Sequence, residues 1–575
     1  MRLFRRTIDT VSTGLPVAFR LKLLYLLLLL RLVLTESTSR LVRWIVVAAC
    51  GVAMFVHLSG VQRDVVQLDE FEHLHAAWLV SQGQTPYTDF FEHHTPLFYY
   101  VGAPLLTLAK PSFDTILDMR LLALTLTMSM AAVGWLWLRR FGRMHGLLAV
   151  CLLATSSTVL AMGHTVFLDT FSAPLLVSSA MLMAGGERKP RWMLGSGICF
   201  GLAVLCNLKA SMAMFAPMAL MASRGWAARS EPEHRRGWAA DIAAYLAGGA
   251  VSILLVAALL GKDGTVGMWR YTVEMNLSWK ARHSGVGWLL GILWRDAFVS
   301  FAGAGLIAHR IWTLRNRGFR LEERDVPWLF LASTIAGVFI LPVVWSEYFA
   351  MVAPFLALTG AVALGEWFSA WDRSSVTKSH FGRYSVYVLI FFGLLALFPY
   401  RALLRTDPSA YTQSAIMLAL CGGLCLIAQR TLRSKLWLPT AIGLTLAAIV
   451  PLVRVVSMVP QADNSEQRKQ VEYLLTHTRP EESVFDGYTG HGVFRPHAYY
   501  YWFLHQEVQA MLPETEKGAR LIAALEAKQP AMAITDNWVA TLPQEVQTYL
   551  ANNYEGTTPF SFLKKRRRTN TGQVR

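Results

Sequence analysis

The stretch LDEFEHLHAAWLVSQGQTPYTDFFEHHTPLFYYV, residues 68–101, crowds Asp69, Glu70, Glu72, His73, His75, Asp89, Glu92, His93 and His94 between apolar regions. The chain around it is 54% hydrophobic and 16% charged. A soluble chain carries about 25% charged residues. So apolar a chain that gathers its ionisable groups in one loop points to chemistry at a membrane surface.

Many apolar runs outside this stretch are long enough to cross a bilayer, which takes about 20 residues per helix. Helices satisfy their own backbone groups in lipid, so these runs read as helices. About thirteen spans are expected, near 41–59, 119–138, 146–163, 168–185, 192–207, 210–223, 240–260, 290–309, 327–345, 347–366, 385–403, 411–428 and 437–458. The stretch LKLLYLLLLLRLVL, residues 21–34, is short and carries Arg31. It reads as an interfacial helix within a basic cytoplasmic segment, 1–40.

The net charge is +16, but the placement of the charges says more than their sum. With the N-terminus in the cytoplasm, the inside segments include RRFGRMHG, GGERKPRW and HRIWTLRNRGFRLEER, all rich in Arg and Lys. Positive charge on the cytoplasmic side is the normal bias of membrane proteins. A nucleic-acid partner is therefore not called for. The plasma (inner) membrane is the expected location, with residues 60–118 and everything after Met458 outside. The outer loop from Gly261 to Trp288 and the basic run 564–568 are exceptions to the charge pattern. All six cysteines lie in apolar runs, which excludes a disulfide framework.

From 460 to 575 the character changes. QRKQVEYLLTHTRPEESVFDGY reads as helix, turn and strand, and GARLIAALEAKQPAMAITDN repeats that order. A helix follows in LPQEVQTYLANNYEG. The expected fold is therefore mostly α: a polytopic membrane domain, 41–459, with an outer loop at 60–118 and a small α/β domain on the outer face.

Asp69 and Glu70 follow directly on the first span. A carboxylate at that depth can act as a general base toward a hydroxyl, or it can simply hold the loop in water. PLFYYVGAPLLTLA is apolar but too short to span, and Pro104 interrupts it. It reads as a re-entrant or interfacial helix that holds Glu92, His93 and His94 at the membrane surface.

On these residues the chain resembles the polytopic glycosyltransferases of the GT-C fold, relatives of protein O-mannosyltransferases and of the aminoarabinose transferase that modifies lipid A. The shared features are an acid after the first span, a G…P stretch, and PL leading into a membrane-lying helix. The resemblance covers roughly 41–460 and implies transfer of a sugar from a polyprenyl-phosphate donor to a lipid, glycan or protein acceptor on the outer face. It makes Asp69, with Glu70 beside it, the catalytic carboxylates, as the base that deprotonates the acceptor or the group that positions it. It adds Asp169 of GHTVFLDTF, Lys209 of GLAVLCNLKASM near the donor phosphate, and Tyr348 of EYFAMVAPFLAL. Where the family often has a basic residue before that tyrosine, this chain has Glu347.

A departing phosphate needs cations. Arg270, Lys280 and Arg282 offer them, among the belt-forming aromatics Trp269, Tyr271 and Trp279. With Asp69 and Glu70, the histidines at 73, 75, 93 and 94 could ligate a divalent ion, but the H-E-x-x-H pattern is missing. Hydrogen-bonding loop histidines are the preferred reading, and no cofactor is called for. Two rivals share the span pattern: a secondary transporter and a non-catalytic envelope assembly protein. A transporter would place its ionisable residues near mid-span, often within internal repeats. A scaffold would tolerate loss of Asp69.

Overall fold

The computed structural model describes residues 40–372 and 463–565, apart from 188, 230–231, 279–284, 318–319, 342, 557–559 and 561. It is mostly helical, with one small sheet. The helices of the first part are α1 (Arg40–Arg63), α2 (Leu68–Ser81), α3 (Leu97–Leu108), α4 (Phe113–Leu138), α5 (Arg143–Thr155), α6 (Ser157–Met162) and α7 (Leu168–Ala184). They continue with α8 (Pro190–Cys206), α9 (Phe215–Ala228), α10 (Pro232–Met268), α11 (Val286–Arg295), α12 (Ala297–Arg317), α13 (Val326–Ile340) and α14 (Ala353–Asp372).

Four described helices are long and apolar enough to cross a membrane: Val46–Arg63, Phe113–Leu138, Pro232–Met275 and Ser346–Glu366. Helix α4, with 26 residues, rises about 39 Å, more than a bilayer core of about 30 Å. The count of thirteen is not established by these elements. Expected spans near 385–403, 411–428 and 437–458 lie outside the described residues, as does the stretch 21–34.

The expected spans 146–163 and 290–309 are both divided, at residues that hydrogen-bond each other. The run 146–163 divides at Ser156 into α5 and α6. The Ser156 hydroxyl donates to Asp296 Oδ2 at 2.9 Å, and the Ser157 N–H donates to Asp296 Oδ1 at 3.0 Å. Asp296 itself stands between α11 and α12, so the run 290–309 is divided too. A buried carboxylate is stable only with such donors, and helix ends supply them. The pair expected around Lys209 is α8 and α9, joined by a 3₁₀ turn, Leu208–Met214. Asn207 caps that turn by accepting the Lys209 N–H at 3.1 Å.

The segment 60–118 is not an open loop. The Glu70 carboxylate accepts the Gln67 N–H at 3.0 Å and so caps the start of α2. Helix α3 packs on α2 and α4 through Gly102, which faces Ala77 and Met119. Its other side leaves Val101, Leu105 and Leu108 exposed, as an interfacial helix should. Beneath α2 lies Arg120 of α4, fully buried. Its Nε donates to Glu70 Oε2 at 2.8 Å and its Nη2 pairs with Oε1 at 2.5 Å. Its remaining hydrogens reach the carbonyls of Asp64 and Val65 at 2.7 and 3.0 Å.

The C-terminal unit carries α15 (Ser465–His477), β1 (Val484–Asp486), α16 (Gln506–Met511), α17 (Glu514–Lys517), α18 (Ala519–Lys528), β2 (Met532–Ile534), α19 (Gln544–Asn553), β3 (Tyr554–Gly556) and β4 (Leu563–Lys565). The sheet order is β1-β2-β4-β3. Strand β1 runs parallel to β2, and the β2–β4 and β3–β4 pairs are antiparallel. Phe485, Leu521, Leu525, Ala533, Val546 and Leu550 form its core. This alternation matches the helix–strand order read from the sequence. Lys564 and Lys565 of the basic run belong to β4.

A second core runs across the join. Phe71, Phe98 and Phe113 pack in one cluster with Val471, Phe494 and Trp502. Gln467 exchanges two 2.8 Å hydrogen bonds with the Val66 backbone, and Trp502 Nε1 donates to Phe91 O at 2.9 Å. The C-terminal unit and the segment 60–118 therefore fold as one body.

Replacing Arg120 by Met would leave the Glu70 carboxylate buried without its cation. We expect Arg120→Met to lose about 3–5 kcal/mol, read as a lowered unfolding midpoint of the detergent-solubilised protein.

Candidate active site

Asp69 sits in the first turn of α2 beside Glu70, but the two carboxylates face different ways, since neighbours on a helix are turned by about 100°. Glu70 is wholly engaged by Arg120, by the Gln67 N–H and by the Val166 N–H at 2.9 Å, from the connection between α6 and α7. Asp69 is half-buried and turns toward a cluster drawn from distant segments. Tyr488 of the C-terminal unit donates its hydroxyl to Asp69 Oδ1 at 3.2 Å. Burial pushes the Asp69 carboxyl above the ordinary aspartate value, and the nearby charge of Lys209 and the Tyr488 hydrogen bond hold it back.

Lys209 stands on the 3₁₀ turn between α8 and α9. Its ammonium lies 3.4 Å from the centroid of the Tyr348 ring, a close cation–π contact. It also interacts electrostatically with Asp69, Asp169 and Glu347. Asp169 occupies the first turn of α7 and is buried. Tyr348 and Glu347 come from the 3₁₀ turn Ser346–Ala350. Glu347, where the resembled family often has a basic residue, thus interacts with a lysine supplied from another segment. A small, mostly apolar cleft opens beside Lys209 and Tyr348, walled by Met212, Val338, Leu341 and Met351.

One turn along α2 from Asp69, Glu72 meets Glu92, His93 and His94. Their ligand atoms lie within 4.8 Å of one another. His94 Nδ1 is 3.0 Å from Glu92 Oε1 and 3.5 Å from Glu72 Oε1, and His93 Nδ1 is 3.5 Å from Glu72 Oε1. Burial and the proximity of Glu92 hold the Glu72 carboxyl well above the usual range, and burial holds both histidines below theirs. Two carboxylates and two neutral imidazoles at this spacing fit a divalent cation such as zinc. The set differs from the one considered from the sequence. His75 turns away to the carbonyl of Val493 at 2.8 Å, and Glu70 is bound to Arg120.

Of the remaining expected residues, Arg270 is not gathered in. Arg270 is exposed on the π-helical turn Trp269–Met275, with its guanidinium 5.9 Å from the Tyr271 ring centroid. Lys280 and Arg282 lie outside the described residues.

In DGYTGHGVFRPHAYYYW, residues 486–502, Asp486, Arg495 and His497 have structural partners. Asp486 accepts from Thr489 N at 2.8 Å and Gly492 N at 3.2 Å. Arg495 is spent on the Leu475, Thr478 and Phe494 carbonyls. His497 Nδ1 and Nε2 lie at 2.9 and 3.0 Å from the Tyr499 and Asp486 carbonyls. The residue that reaches the site is Tyr488. The Gly-rich turn around it was the available signal, but nothing in the sequence ties it to Asp69. A small cleft lies between α2 and this segment, lined by Glu72, His75, Asp486, Tyr488 and Trp502.

The comparisons agree with this architecture. The family model described as dolichyl-phosphate-mannose-protein mannosyltransferase matches residues 93–261, a stretch that includes Asp169 and Lys209. The structure is similar to that of ArnT from Cupriavidus metallidurans bound to undecaprenyl phosphate, with TM-score 0.58 and 15% identity over 90% of this chain and 97% of that one. Apo ArnT gives 0.56 and 16% over the same shares. The Archaeoglobus fulgidus oligosaccharyltransferase tethered to an acceptor peptide gives 0.47 and 11%, over 93% of this chain and 74% of that one. No curated protein sequence matches the chain. The chain is an integral membrane protein with the GT-C fold.

Gly490 joins the C-terminal unit to α2. Its φ is +76°, and a Cβ there would lie 2.2 Å from Phe71 Cβ. Gly490→Ala is therefore expected to combine backbone strain with a clash, lowering stability by about 1–3 kcal/mol. Limited proteolysis should then cut the segment 486–503 faster than in the parent, while α-helix content is kept.

Proposed function

We propose that the chain is a membrane glycosyltransferase that uses a polyprenyl-phosphate sugar and works on the extracytoplasmic face. The observation that carries this reading is Lys209, stacked on Tyr348 at a break between apolar helices and beside a mostly apolar cleft, with the half-buried Asp69 within its electrostatic reach. The phosphate of the donor meets the Lys209 ammonium, and its prenyl chain follows the apolar wall. Tyr348 keeps the lysine in place from below the ring.

The acceptor is a hydroxyl of a lipid, glycan or protein. Its oxygen attacks the anomeric carbon while the bond from that carbon to the phosphate oxygen breaks. Asp69 takes the hydroxyl proton, and polyprenyl phosphate leaves with the bonding electrons toward Lys209. One base and attack opposite the leaving group give inversion; a retaining route would need a second carboxylate as nucleophile. The GT-C fold supports the class of reaction, and ArnT, of similar fold, has been solved with undecaprenyl phosphate.

Asp69 must be ionised to act. Its raised carboxyl pKa means that the rate falls on the acid side at a pH above the ordinary aspartate value of 3.8. In nanodiscs, with a panel of radiolabelled polyprenyl-phosphate sugars and envelope extracts, Asp69→Asn is expected to lower transfer about 10²–10⁴-fold with donor binding kept. Lys209→Met is expected to weaken binding of undecaprenyl phosphate itself. Transfer at the parent rate in a folded Asp69→Asn chain would remove the base assignment.

A further inference from the structure

We infer that Tyr488 is the positioning residue for Asp69, so that the C-terminal unit completes the active site of the membrane domain. This rests on the reading of Asp69 as the base. Tyr488 lies 419 positions along the chain from Asp69 and donates to its Oδ1 at 3.2 Å. A carboxylate accepts at both oxygens. Holding Oδ1 fixes the plane of the carboxylate and leaves Oδ2 to receive the proton of the incoming hydroxyl.

The tyrosine is itself held from three directions. Its ring stands edge-on to Phe503 at 4.2 Å between centroids and tilted against His505 at 5.3 Å. Asp486 ties the turn behind it through Thr489 and Gly492, and Leu504 N donates to Gly487 O at 3.0 Å. The same turn is seated on α2: Gly490 abuts Phe71, and His75 Nδ1 reaches Val493 O at 2.8 Å. Donor and acceptor are therefore held by one packed and hydrogen-bonded cluster, which favours a preorganised catalytic group. Burial and the charge of Asp69 raise the phenol, so Tyr488 stays protonated and remains a donor.

The charged and titratable groups around Asp69 are Lys209, His505, Asp169, Glu347, Glu70 and Glu72. Tyr488→Phe leaves all of them in place and keeps the ring packing. It removes a hydrogen bond that favours the ionised carboxylate, so the Asp69 pKa must rise.

The test is an infrared pH titration of the full chain in nanodiscs. The carboxyl band lost in Asp69→Asn belongs to Asp69. In Tyr488→Phe its midpoint is expected to move up by about 0.5–1 pH unit, and its C=O stretch to higher frequency. Tyr499→Phe removes a buried hydroxyl of the same unit that bonds Glu516 instead; it should move neither. An unmoved midpoint in Tyr488→Phe overturns the inference. So does an equal shift in Tyr499→Phe, which would mean general loosening of the unit. Sugar transfer retained by Asp69→Asn overturns the base reading, and with it the catalytic meaning of the contact, whatever the infrared midpoint does.

Discussion

The buried Arg120–Glu70 pair fixes the segment on which the whole site is built. Taking two charges out of water costs several kcal/mol per ion, and only saturated geometry repays it. Arg120 meets that condition, with a forked pair to Glu70 and two carbonyls of the chain entering α2. One guanidinium thus clamps the end of α1, the start of α2 and the wall of α4 together. With Glu70 held beneath, the rotation of α2 is set, and the neighbouring Asp69 is turned toward Lys209 and Tyr488. Glu72, one turn further, is brought over Glu92, His93 and His94 by the same rotation. A register shift of one residue at α2 would bury Asp69 against Arg120 and scatter the rest.

Much of this was legible from residue types and spacing. The crowded stretch 68–101 does form the floor of the site, the short apolar helix 97–108 lies beside it, and the C-terminal α/β order stands as read. Asp69, Asp169 and Tyr348, which the family resemblance pointed to, are drawn together around Lys209. What could not be read is pairwise and distant. Glu70 looked like a twin of Asp69, and its partner Arg120 lies 50 positions away in an apolar run. Hydropathy treats such an arginine as a flaw in a span, not as a clamp. The breaks at Ser156 and Asp296 follow from hydrogen bonds across about 140 positions that no helical period can register. Tyr488 was one of many aromatics in its segment, and only its hydroxyl's partner sets it apart.

The position of the C-terminal unit follows from the same economy of polar groups. Its docking surface is apolar at the centre, through Phe71, Phe494 and Trp502. Around that centre, backbone groups of the segment 60–118 find side chains of the other unit: Val66 meets Gln467, Phe113 meets Glu472, and Phe91 meets Trp502. An irregular segment near a membrane has backbone donors and acceptors that lipid cannot satisfy. The C-terminal unit satisfies them. It is therefore part of what keeps the site's backbone in one conformation.

The site places more carboxylates beside Lys209 than one ammonium can balance, and the helix geometry explains how it holds them. Asp69 lies in the first turn of α2 and Asp169 in the first turn of α7. Helix starts carry unsatisfied N–H groups and the positive end of the helix dipole, which favours an anion there by about 0.3–1 kcal/mol. Lys209 and Tyr348 sit on 3₁₀ turns where the chain changes direction. Every one of these residues occupies a helix start or a break. In a membrane protein such breaks are stable only where they are packed in protein or line a cavity. Helix starts that converge on one point also form an anion-binding geometry. The features that let the fold keep its own acids there are the N–H groups and dipoles of those helix starts.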